Sequence, residues 1–155
     1  MSGVFSQWKQ VPEFEIGAMN HVDHQNYGDW THKITQDHLA SIGFRVEYFI
    51  EKGECFVLRR QKVEYLAPCF LDDRLLLITW ISEVGNKTVK RQHRIFKVDE
   101  KGERTLAYKA QNLSIFVDAD VNPAPIPQEV MKVLNAATEA QVLEYLSAQD
   151  VPDSQ

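Results

Sequence analysis

Residues 19 to 30 read MNHVDHQNYGDW, which sets Asn20, His21, Asp23, His24, Asn26 and Tyr27 within eight consecutive positions. A histidine can move a proton near neutral pH, and a carboxylate can activate water or attack a polarised carbonyl. Such chemistry also needs donors aimed at the oxyanion that forms, and backbone NH groups at the start of a helix supply them because they lack intrahelical partners and sit at the positive end of the dipole. Such a helix is expected here. From Asn26 the apolar spacing becomes helical, with Tyr27, Trp30, Ile34, His38 and Ile42 three or four apart until Gly43, and Asp23 or Asn26 is placed to cap it.

The elements that must hold this helix follow along the chain. QVPEFEIGAM reads as a short early strand ended by Gly17, and five strand-like runs come after the helix: FRVEYFIE, ECFVLRRQKVEYL, RLLLITWISEV, VKRQHRIFKVD and RTLAYKAQNLSIFVDAD. The separators KG, APCFLDD, GNKT and EKGE read as hairpin turns, which makes consecutive strands antiparallel neighbours. NPAPIP ends the sheet, and a C-terminal helix is expected over about 127–148 before a polar tail, 149–155. The predicted architecture is α+β: a curved antiparallel sheet of five to six strands wrapped around one long central helix. Leu76, Ile78 and Trp80 alternate on one strand and predict an apolar second sheet face. An oligomer would cover it, most simply a homodimer, with a homotetramer as the other arrangement.

Composition bounds the rest. A chain of 155 residues, 44% hydrophobic and 25% charged, fits one globular domain spanning 1–155. The net charge of −5, with basic residues spread among acids, argues against nucleic acid as a partner. Cys55 and Cys69 have no metal-ligand spacing, no signal peptide is visible, Ser2 offers no myristoylation site, and no apolar run approaches the ~20 residues of a membrane span. A reduced, cytoplasmic protein without membrane association is the expectation.

The order strand, NHVDHQNY, long helix, strands and a closing PAPIPQEV resembles the hotdog-fold acyl-CoA thioesterases of the 4-hydroxybenzoyl-CoA thioesterase type, over roughly residues 10 to 132. NHVDHQNY is similar to the family's GHVNNxxY and G(I/V)VxHxNY forms, and VEYLAPCFLDDRLLLITWI to its tyrosine, proline and acidic-turn segment. The resemblance implies hydrolysis of an acyl-CoA, or a similar pantetheine thioester, to a carboxylic acid and a free thiol. No metal or redox cofactor is implied, coenzyme A being part of the substrate. It further implies that the backbone NH of His24 is an oxyanion donor, that the His24 side chain takes part in catalysis, and that Asn26 shapes the turn; Tyr27 and Gly28 are candidates for further NH donors.

One departure stands out. The family acid lies three residues before the glycine of GHV, and in this chain Asn20 occupies that glycine position while Gly17 occupies the acid's. Asp23, Glu15 and Glu64 are the candidate replacements, Asp23 by proximity and Glu64 from a neighbouring strand, with a general-base route through His24 as the alternative. Asp23 reads equally as a helix cap, and Asn20, His21 and His24 equally as polar turn residues. His38 on the apolar stripe reads as a hydrogen-bonded core residue, His93 as a sheet-face residue, and Cys69 as a small buried hydrophobe ahead of a nucleophile. Arg59, Arg60 and Lys62, with Lys87, Lys90, Arg91 and Arg94, form two basic groups suited to a nucleotide's phosphates or simply to solvent. Two other functions compete with hydrolysis: a hydratase or dehydratase acting on enoyl or 3-hydroxyacyl thioesters, and a non-catalytic thioester- or protein-binding module.

Overall fold

The computed structural model describes residues 3–148, so the tail expected over 149–155 lies outside the described residues. Strand β1 (Val4–Gln10) is followed by a short 3-10 turn at Glu13–Glu15, helix α1 (His24–Ser41) and helix α2 (Val46–Lys52). Strands β2 (Cys55–Tyr65), β3 (Arg74–Val84), β4 (Thr88–Val98) and β5 (Arg104–Val117) come next, then helices α3 (Gln128–Met131) and α4 (Glu139–Ser147). One antiparallel sheet runs in the order β1-β3-β4-β5-β2. The α+β class and a five-stranded antiparallel sheet agree with the sequence, four of the strands being runs it predicts. Among the described residues, no helix is long and apolar enough to cross a membrane.

Four expectations about elements are corrected. The first strand is VFSQWKQ, not QVPEFEIGAM: Pro12 lacks an NH for the ladder, and the chain leaves the sheet there. FRVEYFIE forms helix α2, in which Phe49 is buried against the rings of Phe44 and Phe56 and Gly53 closes the end at φ 69°, so KG is a helix stop and not a hairpin. The expected C-terminal helix is divided into α3 and α4, because residues 136–137 turn aside to bond Ile81 and Thr138 then starts α4 with a capping box to Gln141. Finally β2 does not neighbour β3. It pairs with β5 at the sheet edge, and the loop after Tyr65 crosses to the far side of β4 and β5.

The two sheet faces differ. On the α1 side, Trp30 and Ile34 meet Leu75, Leu77, Ile95 and Tyr108. On the other side, Ile78 and Trp80 are buried by Val142 and by its neighbours Tyr145 and Leu146 in α4. Chain-internal packing therefore dries the surface from which an oligomer was expected, and β3, covered on both faces, reads as an unbroken apolar run. The exposed apolar side chains lie elsewhere: Val57, Leu58 and Tyr65 on edge strand β2, with Leu66, Phe70 and Leu71 in the loop after it.

Candidate active site at the start of helix α1

The segment before α1 doubles back on itself. Ile16 bridges Val22, the amide of Gly17 donates to the His21 carbonyl at 2.9 Å, and that of Asn20 returns to the Gly17 carbonyl at 3.1 Å. The turn holds Asn20 at φ 63°, a left-handed conformation that glycine and asparagine adopt most readily, which accounts for asparagine at the position where the resembling family carries glycine. The Val22 amide is tied to the Cys69 carbonyl at 2.9 Å, so the turn is anchored to the loop between β2 and β3.

His24 is the first residue of α1, with Asp23 at the N-cap position in extended conformation. The Asp23 side chain nevertheless makes no capping hydrogen bond. Its carboxylate lies over Gly17 instead: a Cβ placed on Gly17 would stand 2.2 Å from Asp23 Oδ1. Gly17 thus has no side chain because the carboxylate of Asp23 fills the space where one would begin. The Asn26 amide folds back to the Asp23 carbonyl at 3.0 Å, and the amides of His24 and Gln25 have no acceptor among the described residues. Gln25 was not foreseen as a donor. Tyr27 and Gly28, expected as further donors, fall far enough into α1 for their amides to join the intrahelical ladder.

The remaining candidates separate by face. His21 is half-buried, and its Nδ1 meets the Val22 carbonyl at 3.1 Å; since a carbonyl only accepts, Nδ1 carries the proton. The Asn26 side chain donates to the Glu15 carbonyl at 3.0 Å and so binds the 3-10 turn to the helix. Glu15 is committed, for its carboxylate pairs with Lys9 at 2.9 Å and accepts from the Trp30 indole. Tyr27 is a core pillar, stacked on Tyr108 at 5.2 Å, and burial together with its contact with Cys69 raises its hydroxyl above the usual range. Burial likewise raises the Cys69 thiol, which disfavours the nucleophilic thiolate.

Glu64 is not brought to His24. Neighbours on a strand face opposite ways, and Tyr65 meets Tyr27 and Tyr108 on the α1 side, so Glu64 faces the other, where it lines a cavity of about 380 Å³ with Lys62, Arg94 and Lys109. Tyr65 is the unforeseen neighbour instead, its ring 6.4 Å from that of His24 in an edge-to-face arrangement. The basic groups disperse as well. Lys90 pairs with Glu83 at 3.1 Å, Arg94 lies 5.0 Å over the Trp80 ring, and Arg91 is buried on the α1 side. His24 itself is exposed beside the free edge of β2.

A family model described as the thioesterase-like superfamily matches residues 12–134. No curated protein matches the chain. Among solved structures, the chain is similar to a hypothetical protein from Aquifex aeolicus, with 27% identity, a TM-score of 0.76 and coverage of 84% of this chain and 99% of the other. It is also similar to a 1,4-dihydroxy-2-naphthoyl-CoA thioesterase from Synechocystis, at 20% identity and TM-score 0.76 over 85% of this chain and 96% of that one. A third similar structure is the 4-hydroxybenzoyl CoA thioesterase from Pseudomonas sp. strain CBS-3, at 15% identity and TM-score 0.76 over 85% and 99%. The last two likenesses are likenesses of fold.

Proposed function

The chain belongs to the thioesterase-like superfamily, and from that premise we propose that it hydrolyses an acyl-CoA or similar pantetheine thioester to a carboxylic acid and a free thiol. The observation that carries this reading is the start of α1, where the uncommitted amides of His24 and Gln25 lie beside an Asp23 carboxylate that caps nothing. In the proposed reaction the thioester oxygen takes hydrogen bonds from those amides, and the positive helix end favours the charge that develops on it. Asp23 accepts a proton from water as the water oxygen attacks the carbonyl carbon. The tetrahedral oxyanion collapses, the carbon–sulfur bond breaks, and the departing thiolate takes up a proton, with His24 placed to deliver it. Nothing in this sequence of steps calls for a metal or redox cofactor.

One chain offers only an open surface at His24. We propose that a second copy supplies the missing wall by docking along β2, whose unpaired edge carries Val57, Leu58 and Tyr65. A homodimer of this kind places Tyr65 and His24 of each chain beside the junction, where an acyl chain can be kept from water. Incubating the purified protein with short, long, branched and aromatic acyl-CoAs and trapping released thiol tests the reaction. Release from at least one of them is expected. Binding without release would leave a thioester-binding module, and hydration of crotonyl-CoA without release would make the protein a hydratase.

A further inference from the structure

The opposite end of α1 carries a polar cluster that the proposed hydrolysis does not use. Arg91, 6% exposed on β4, donates from Nη1 to His38 Nδ1 at 2.9 Å and to Thr79 Oγ1 at 3.1 Å. No carboxylate lies within ion-pair distance of it among the described residues. Burying a cation without a counter-charge costs several kcal/mol even after relaxation, and hydrogen bonds to a hydroxyl and an imidazole return only part of that. Because an arginine nitrogen can only donate, His38 Nδ1 is the acceptor, and the imidazole proton resides on Nε2.

That proton has no acceptor among the described residues. His38 is 4% exposed, its ring is stacked on Phe5 at 5.3 Å, and Nε2 has no hydrogen-bond partner among the described residues. His38 lines a cavity of about 330 Å³ together with Ser41, Ile42, Ile81, Lys132 and Asn135. Three of the carbonyls that a helix end usually leaves open are occupied here: Ser41 Oγ donates to the His38 carbonyl, the amides of Ile42 and Phe44 to that of Leu39, and the Gly43 amide to that of Ala40. The lining thus includes an N–H donor backed by a buried guanidinium and the cationic side chain of Lys132, with Ile42 and Ile81 as apolar wall.

We propose that this cavity is a second ligand site, distinct from the start of α1, and that it takes a small organic carboxylate with a short aliphatic or aryl body. The carboxylate accepts from His38 Nε2 and from Lys132, supplies the negative charge that Arg91 lacks, and rests its apolar body on Ile42 and Ile81. A neutral amide of the same shape gains the hydrogen bond without the charge, and acetate gains the charge without the apolar contact. The site does not depend on whether the protein hydrolyses thioesters.

Titration of the full chain with hexanoate and benzoate, against hexanamide, benzamide and acetate, followed by calorimetry and by NMR of the histidine side chains, tests this. Both larger carboxylates are expected to bind at least tenfold more tightly than their amides and than acetate, and to shift the His38 ring signals. Lys132→Glu, a change at an exposed residue, is expected to weaken binding at least tenfold, and His38→Met to abolish it. His24→Ala is expected to leave the affinity unchanged, which separates this site from product bound at the other end of the helix. Equal affinity for acids and amides, indifference to Lys132→Glu, unmoved His38 signals, or loss of binding in His24→Ala would each overturn the proposal.

Discussion

Helix α1 carries a histidine near each end, His24 and His38, fourteen residues and so roughly 21 Å apart on nearly the same face. At the first end the histidine is exposed, the amides beside it are uncommitted and the adjacent carboxylate caps nothing. At the other end the histidine is buried, the carbonyls of residues 38–40 are satisfied, and a buried arginine holds the ring in one tautomer. One end remains free to exchange protons with water and to meet developing negative charge. The other is fixed. Residue type thus fixes little about a histidine's task; what the helix end leaves unpaired, and how much water reaches it, decide.

The sharpest test of the first end is Asp23→Asn. With the carboxylate acting on water, thiol release should fall by about 100-fold or more, in keeping with general-base contributions, and stability should hardly change. A capping role predicts activity kept in Asp23→Asn, since asparagine caps as well as aspartate, and about 1 kcal/mol of stability lost only in Asp23→Ala. Chemical denaturation and a thiol-trapping assay on each variant separate the two outcomes.

At the second end the contrast is tested by pH. Burial, and then the charge of Arg91, lowers His38 from the ordinary 6.5 to about 4, and His93 is lowered to about 3, first by burial. Both are therefore neutral in the folded protein where the unfolded chain would bind protons. Stability from this source is present in full above about pH 6.5 and is lost as pH falls toward 4, on the order of 3 kcal/mol for His38 alone. Urea unfolding between pH 7 and 4 should show that slope, and His38→Met should remove the His38 share of it while leaving that of His93. A stability independent of pH across this window would mean that water reaches the second end as well.

Gly17→Ala should have a smaller effect. The added methyl group would collide with Asp23 Oδ1 and push the carboxylate aside, so thiol release should drop by about tenfold, comparable to the loss expected from His24→Ala. Unchanged activity in Gly17→Ala would show that the position of Asp23 over Gly17 is incidental.

How much of this was legible in the sequence depended on range. Helix α1 announced itself through Tyr27, Trp30, Ile34 and His38, and the turns around Gly85 and Gly102 marked the β3–β4 and β4–β5 hairpins, because each is a local pattern. Helix α2 reads as a strand in sequence because a seven-residue element rich in Val, Tyr, Phe and Ile carries strand propensity, and its burial on Phe56 and Phe116 is decided by the sheet. The break before α4 did have a local signal, the Thr138–Gln141 capping box within TEAQ. The polar turn before α1 was visible as a motif, whereas the fit of Asp23 over Gly17 depends on the chain folding back between Ile16 and Val22. Arg91 looked like part of a basic strand because strand sequence alone does not say which of two alternating faces will be covered.

His93 gives the smallest and least intuitive test of the buried end. Its ring is 1% exposed, on the same sheet face as Arg91, and both ring nitrogens are without hydrogen-bond partners among the described residues. A buried donor or acceptor left unmade costs about 1–3 kcal/mol, while an apolar side chain of similar size there costs nothing of the kind. His93→Leu should therefore raise the unfolding free energy by about 1 kcal/mol, with thiol release unaffected, because the ring makes no hydrogen bond to any described residue of the candidate site. A loss of similar size would mean that the ring's polarity is used in the folded protein. His93 would then belong with Arg91 and His38 to one working polar cluster, and the buried end of the helix could no longer be treated as a fixed counterpart to the exposed one.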